Sequence, residues 1–198
     1  FAELFEPLAG VTFLDSDAPN LSSTLADLGL PAGRTIKSDM LCHSAIVDTD
    51  REAAMYLQLR PRPAIARAIS ASIARCGGDY VALHVRRSDQ VTDLPFATSD
   101  DEFFRFVDAH AKECSGTTVF LATDNSQTQR TFAARCGPRL RTHVALNDAE
   151  VRATSIADAV VDIFTCAAAT KAFKGTRGSS FSDAIWHLRQ AGGCGQPA

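Results

Sequence analysis

The amino-acid sequence predicts an α/β protein: a doubly wound parallel sheet, Rossmann-like in organisation. Three observations carry that expectation. From Tyr80 onward, short apolar runs alternate with segments of helical period, the order produced by a parallel sheet with crossover helices. The first of these runs reads as a buried strand, apolar almost throughout, as strands covered on both faces are. Polar residues collect directly after three of the runs, where open parallel sheets gather their loops and helix N-termini.

The elements follow in order. Residues 80–86 form the first strand. Ser99-Asp100-Asp101-Glu102 is an S-x-x-E capping box that opens a helix with Phe103, Phe106 and Val107 on its apolar face. Residues 117–122 make the second strand. A polar helix over 127–134 is stopped by Cys136-Gly137-Pro138, a glycine and proline breaker. Residues 141–146 form a third, less apolar strand. Ile156, Ala159, Val160, Ile163, Phe164 and Ala167 have the i, i+3, i+4, i+7 spacing of one helix face. Residues 172–175 are a short strand, and Phe181, Ala184, Ile185 and Leu188 define a closing helix.

Upstream, 63–75 reads as a helix with Ile65, Ile69 and Ile73 on one side, 11–14 as a strand and 25–28 as a helical piece. Residues 35–50 show no clear period. The chain therefore divides into a linker or remnant of a neighbouring domain (1–50), a Rossmann-like domain (51–191) and a tail (192–198).

A content of 45% hydrophobic and 22% charged residues excludes a disordered or fibrous chain. A formal net charge of −3 argues against a general nucleic-acid binder, which needs an excess of Lys and Arg. No run of about 18 apolar residues is present to span a membrane. The six cysteines, Cys42, Cys76, Cys114, Cys136, Cys166 and Cys194, have no CxxC pairing of a zinc site. They read as buried thiols or as disulfides, with Cys114–Cys136 the local staple expected in an oxidising compartment. With the glycosylation triplet Asn20-Leu21-Ser22, they point to the secretory-pathway lumen in a eukaryotic source; in a bacterial source the expected location is the cytoplasm.

Candidate site residues lie at the strand ends. His84, Arg86, Arg87 and Asp89 close the first strand; Thr123, Asp124 and Asn125 the second; Thr176, Arg177, Gly178, Ser179 and Ser180 the last. Ser179 and Ser180 stand at a helix N-terminus, where free N–H groups and the dipole attract phosphate, although a serine there also serves simply as a cap. Arg86 and Arg87 leave an extended chain on opposite faces, and Arg86 shares the parity of His84. An arginine pair, a strand-end histidine and a strand-end aspartate each have ordinary structural roles. Asp158 and Asp162, one turn apart, read by default as a solvated pair.

His84-Val85-Arg86-Arg87-Ser88-Asp89 resembles the H-x-R-R-x-D motif of the fucosyltransferase superfamily that contains α-1,6-fucosyltransferases, bacterial nodulation fucosyltransferases and protein O-fucosyltransferases. Val119 to Asn125 is similar to that family's strand ending in A-T-D, and Asp158 to Phe164 to its helix with an aspartate at the position of Asp162. Gly175-Thr176-Arg177-Gly178-Ser179-Ser180-Phe181-Ser182 is similar to the G-x-x-x-S-S-F-S/T segment of protein O-fucosyltransferases. The likeness runs over roughly residues 61–189.

The resemblance implies the donor-binding half of a GT-B, inverting, metal-independent fucosyltransferase. Its donor substrate is GDP-fucose, no cofactor or metal is expected, and the acceptor is a glycan or protein hydroxyl. It assigns the β-phosphate contact to Arg86, nucleotide contacts to His84, Arg87, Asp124, Asn125 and Asp162, and diphosphate, base or ribose contacts to Thr176, Ser179, Ser180 and Phe181. The α-1,6 enzymes follow the motif with a Lys and then a Glu base; here Gln90 and Leu94 stand at those places. Asp93, one residue away, is the candidate base. The residues before Tyr80 are too few for a second Rossmann-like domain, which leaves the acceptor site to another domain or chain. A noncatalytic nucleotide-sugar-binding module on the same fold is the alternative, and an unrelated α/β binding domain a third.

Overall fold

The computed structural model describes residues 3–8, 55–87, 98–111, 116–146 and 154–192. The chain divides into two units, one comprising Phe1–Glu6 with Asp48–Ala198, the other Pro7–Val47. The account below concerns the first. The expected strand at 11–14, the helical piece at 25–28, Asn20, Asp93, Cys114 and nearly all of the tail lie outside the described residues.

Helix α1 (Pro63–Cys76) has proline in its first turn and closes on Gly77, whose φ of 72° is left-handed, the usual helix stop. Then come β1 (Tyr80–Val85), α2 (Asp100–Ala111), β2 (Thr118–Thr123), α3 (Ser126–Cys136), β3 (Leu140–Arg141), α4 (Ile156–Ala167), β4 (Ala172–Lys174) and α5 (Ser180–Gln190). The sheet order is β3-β2-β1-β4, and every pairing is parallel. The chain steps outward from β1 through β2 to β3, then crosses back to the far side of β1. It is a doubly wound parallel α/β sheet.

Strand alternation divides the core. Tyr80 and Ala82 face one layer with Phe120, Ala122, Cys166, Ile185 and Leu188. Val81, Leu83 and Val85 face the other with Phe103, Val107, Val119, Leu121 and Phe132. Helices α4 and α5 cover the first face and α2 and α3 the second. Every residue of β1 is buried, and each large apolar side chain so buried contributes about 1.5–3 kcal/mol. Near the N-terminus, Phe5 bridges Pro61 and its ring lies 6.3 Å from that of Phe164.

The capping box forms as expected: Ser99 N–H donates to Glu102 Oε2 at 3.0 Å, and Glu102 N–H to Ser99 Oγ at 3.3 Å. Strand β3 is two residues long, shorter than the expected 141–146. The segment after Arg141 is captured by a side chain instead: Gln129 Nε2 donates to Val144 O and Gln129 Oε1 accepts from Leu146 N–H, at 2.9 and 3.0 Å. Ile156, expected on the apolar face of α4, is 75% exposed, because at the first position of the helix it leans beyond the layer that covers the later turns. Cys76, Cys136 and Cys166 are buried free thiols, which corrects the expected staple at Cys136. Among the described residues no helix is long and apolar enough to cross a membrane.

Candidate nucleotide-sugar site

The carboxyl ends of β1, β2 and β4 lie side by side, and short hydrogen bonds tie them together. Arg86 N–H donates to Thr176 Oγ1 at 2.9 Å, and Thr176 Oγ1 donates to His84 O at 2.9 Å. Arg87 N–H donates to Asp124 Oδ1 at 3.0 Å. A recess of about 150 Å³ opens there, lined by His84, Arg86, Thr123, Asp124, Thr154, Asp162 and Phe181 together with Ala122 and Ala159. It is smaller than the roughly 300–1,000 Å³ of a complete small-molecule site.

Strand parity separates the two arginines. Arg86 lines the recess with His84. Arg87 turns to the other face, its guanidinium 5.9 Å from the centre of the Phe103 ring. There Nη2 donates to Thr98 O at 2.9 Å and to Asp100 Oδ1 at 2.7 Å. With 17% of its side chain exposed, Arg87 is an internal brace rather than a surface ion pair.

His84 is buried. Its Nδ1 lies 2.7 Å from Ser182 Oγ, and its ring stacks on Phe181 with centroids 4.3 Å apart. Burial pushes its pKa down to about 3; the Asp124 carboxylate opposes that shift and the Arg86 guanidinium adds to it. The imidazole is therefore neutral at physiological pH. Asp162, on α4, is likewise buried rather than solvated. Burial, and secondarily the charge of Asp158, raises its pKa well above the usual carboxylate value. Its Oδ1 has no hydrogen-bond partner among the described residues. An orphaned polar atom lining a recess is a group waiting for a donor.

Asn125 turns inward to its own helix, its Oδ1 accepting from Thr128 N–H at 2.8 Å as the cap of α3. Ser179 occupies the cap position of α5 without making a capping bond; its buried Oγ has no partner among the described residues. Ser180 is exposed in the first turn. Gly178 has φ 71°, a left-handed turn that glycine adopts without strain. A Cβ on Gly175 would lie 2.5 Å from Cβ and Oγ of Ser182, so β4 and α5 meet at a distance only glycine allows. The loop carrying Asp93 lies outside the described residues. Among them, no cluster of three or more His, Cys, Asp or Glu side chains is placed to hold a metal ion.

Thr98, Thr154 and Ser182 also belong to this strand-end cluster. Thr98 Oγ1 accepts from Arg177 N–H at 2.9 Å, joining the start of α2 to the β4–α5 turn. A threonine beside a capping box and another beside the cap Ser155 carry no local pattern that separates them from ordinary loop residues. Ser182 was visible only as the last letter of its segment.

No protein-family model matches the sequence, and no curated protein matches it. Among solved structures, NodZ α-1,6-fucosyltransferase soaked with GDP-fucose superposes with a TM-score of 0.55 at 16% identity, over 95% of this chain and 75% of that one. The chain has the fold of this fucosyltransferase. NodZ from Bradyrhizobium gives 0.55 at 15% identity, over 94% and 75% of the two chains. POFUT1 in complex with GDP gives 0.51 at 15% identity, over 74% and 49%, so the chain spans about half the length of POFUT1.

Proposed function

We propose that the chain is the donor-binding part of a glycosyltransferase that uses GDP-fucose and transfers fucose, with inversion and without a metal, to a glycan or protein hydroxyl. The observation that carries this reading is the convergence of Arg86, His84, Asp124, Asp162 and Phe181 on one recess, beside the N-terminus of α5. The fold shared with NodZ soaked with GDP-fucose and with POFUT1 bound to GDP supports it.

The chemistry follows from the groups. As the bond between fucose C1 and the β-phosphate oxygen breaks, negative charge grows on the departing phosphate. A guanidinium at Arg86 stabilises that charge more in the transition state than in the ground state. The N-terminus of α5, with Ser179 and Ser180, offers N–H groups and hydroxyls to the same diphosphate. Asp162 supplies an acceptor for the adjacent N–H donors on the Watson–Crick edge of guanine, a pair that uracil lacks. The acceptor hydroxyl attacks C1 from the opposite face and gives its proton to a base, the role proposed for Asp93. Thr176, Arg87 and Asn125 serve by holding the strand ends in register. A second domain or chain completes the acceptor side.

Calorimetric titration with GDP-fucose, GDP-mannose and UDP-sugars tests the reading. GDP-carrying ligands are expected to bind and UDP-sugars not to. Arg86→Lys is expected to lose at least about tenfold in GDP affinity, since one ammonium cannot reproduce a two-pronged contact to phosphate. Equal binding of UDP-sugars, or full affinity in Arg86→Lys, would falsify it. Fucose transfer to a hydroxyl acceptor separates an enzyme from a binding module.

A further inference from the structure

His84 is the most deeply buried polar side chain lining the recess, and one of the two residues that hold it lies outside the nucleotide-contact set. Its ring is gripped through Nδ1 by Ser182 and across one face by Phe181, which leaves Nε2 as the ring nitrogen available to the recess. Proton count decides the direction of the bond to Ser182. A neutral imidazole carries one N–H. Ser182 is 6% exposed, and among the described residues its hydroxyl bonds to His84 Nδ1 alone. If Nδ1–H were the donor, the buried serine proton would have no acceptor, a costly arrangement. If Ser182 donates, both groups are satisfied and the ring proton sits on Nε2. Gly175 is an independent sign that the serine's position matters, since any side chain there would drive into Ser182 Oγ.

We propose that Ser182 is the positioning residue of this site: its hydroxyl donates to Nδ1 of His84 and locks the imidazole in the tautomer that presents Nε2–H, a hydrogen-bond donor, to an anionic oxygen of the bound nucleotide sugar. The ligand half of this statement rests on the GDP-sugar reading above; the tautomer half stands on the protein alone.

The test uses the full chain at neutral pH. Long-range proton–nitrogen NMR of the imidazoles, with His84→Gln identifying the His84 signal, reads the tautomer directly, and GDP titration reads the ligand. The parent is expected to show His84 with the proton on Nε2. Ser182→Ala is expected to lose that single-tautomer pattern and to weaken GDP binding about tenfold, while Ser182→Thr, which keeps the hydroxyl, restores both. Arg86→Lys is expected to weaken GDP binding with the tautomer unchanged, a separation that a merely structural serine does not produce. A parent with the proton on Nδ1, or Ser182→Ala with an unaltered tautomer, overturns the proposal. So does unaltered GDP affinity in a Ser182→Ala protein that has lost the tautomer. Should the parent bind no GDP, the nucleotide reading fails, and the NMR pattern still upholds or overturns the lock.

Discussion

Asp162 carries a carboxyl on α4 into the interior, where burial raises its proton affinity. An aspartate on an amphipathic helix one turn from Asp158 is ordinarily solvated, yet here it is 6% exposed, and its Oδ1 has no hydrogen-bond partner among the described residues. Its folded pKa is raised above the unfolded value of 3.8 by burial. The folded state therefore holds this proton more tightly than the unfolded state, and the stability that gives is present at low pH and lost as pH rises through the folded pKa. Asp162→Asn is expected to stabilise the protein by about 0.5–2 kcal/mol at neutral pH. That gain should fade as pH falls toward 3.8. The same variant is expected to weaken GDP, because it removes the carboxylate acceptor. Denaturant unfolding at several pH values, with a GDP titration of the variant, checks both halves. A variant that is less stable than the parent at neutral pH sinks the account of Asp162 as a carboxyl penalised by burial.

At the scale of elements, the N-terminus of α2 is tied to the strand ends from two sides. Arg87 reaches from β1 to Thr98 O and Asp100, and Thr98 Oγ1 reaches the backbone of Arg177. Strand alternation alone put Arg87 opposite Arg86, as the structure has it, but the resemblance gave it a nucleotide contact, and its guanidinium is engaged by Thr98 and Asp100 instead. Nη2 joins a carbonyl and a carboxylate, Nη1 donates to Arg86 O, and the guanidinium lies over Phe103; a lysine ammonium cannot make all of these contacts at once. Arg87→Lys is accordingly expected to cost about 1–2 kcal/mol of folding stability, whereas the signature of Arg86→Lys is the loss of ligand affinity. Paired urea melts and GDP titrations of the two variants distinguish them. The opposite assignment of the two losses would mean that the strand register is off by one residue. Of the elements themselves, the helices with caps were legible in outline: S-x-x-E for α2, glycine and proline after α3. Strand β3 was not, because Gln129, a side chain on α3, claims the backbone that local pattern offers to the sheet.

For the whole molecule, the consequence of a buried neutral histidine is a pH-dependent fold. His84 titrates at 6.5 when unfolded and at about 3 when folded. Between those values the unfolded chain takes up a proton that the folded chain refuses, so stability falls as pH falls, by at most about 1.4 kcal/mol per pH unit. His84→Asn is expected to flatten the dependence by roughly 1.6 kcal/mol between pH 6.5 and 5; an unchanged profile would show that His84 is accessible to protons in the native state. The partner that holds the ring is not written in the residues near His84. The sequence by itself determined the alternation of strand and helix, the parity that separates Arg86 from Arg87, and the gathering of polar residues at strand ends. These depend on the two-residue and 3.6-residue periods of the backbone and on local caps, and are complete within a few residues of chain. Only the tertiary structure decided that Ser182 meets His84 across 98 residues, that Asp162 faces inward, and that Arg87 closes on Thr98 and Asp100. Each is a contact between elements that are not neighbours in the chain. Its burial, its partner and its proton affinity are set by how α4 and α5 close over the sheet, a quantity to which no short stretch of sequence has access.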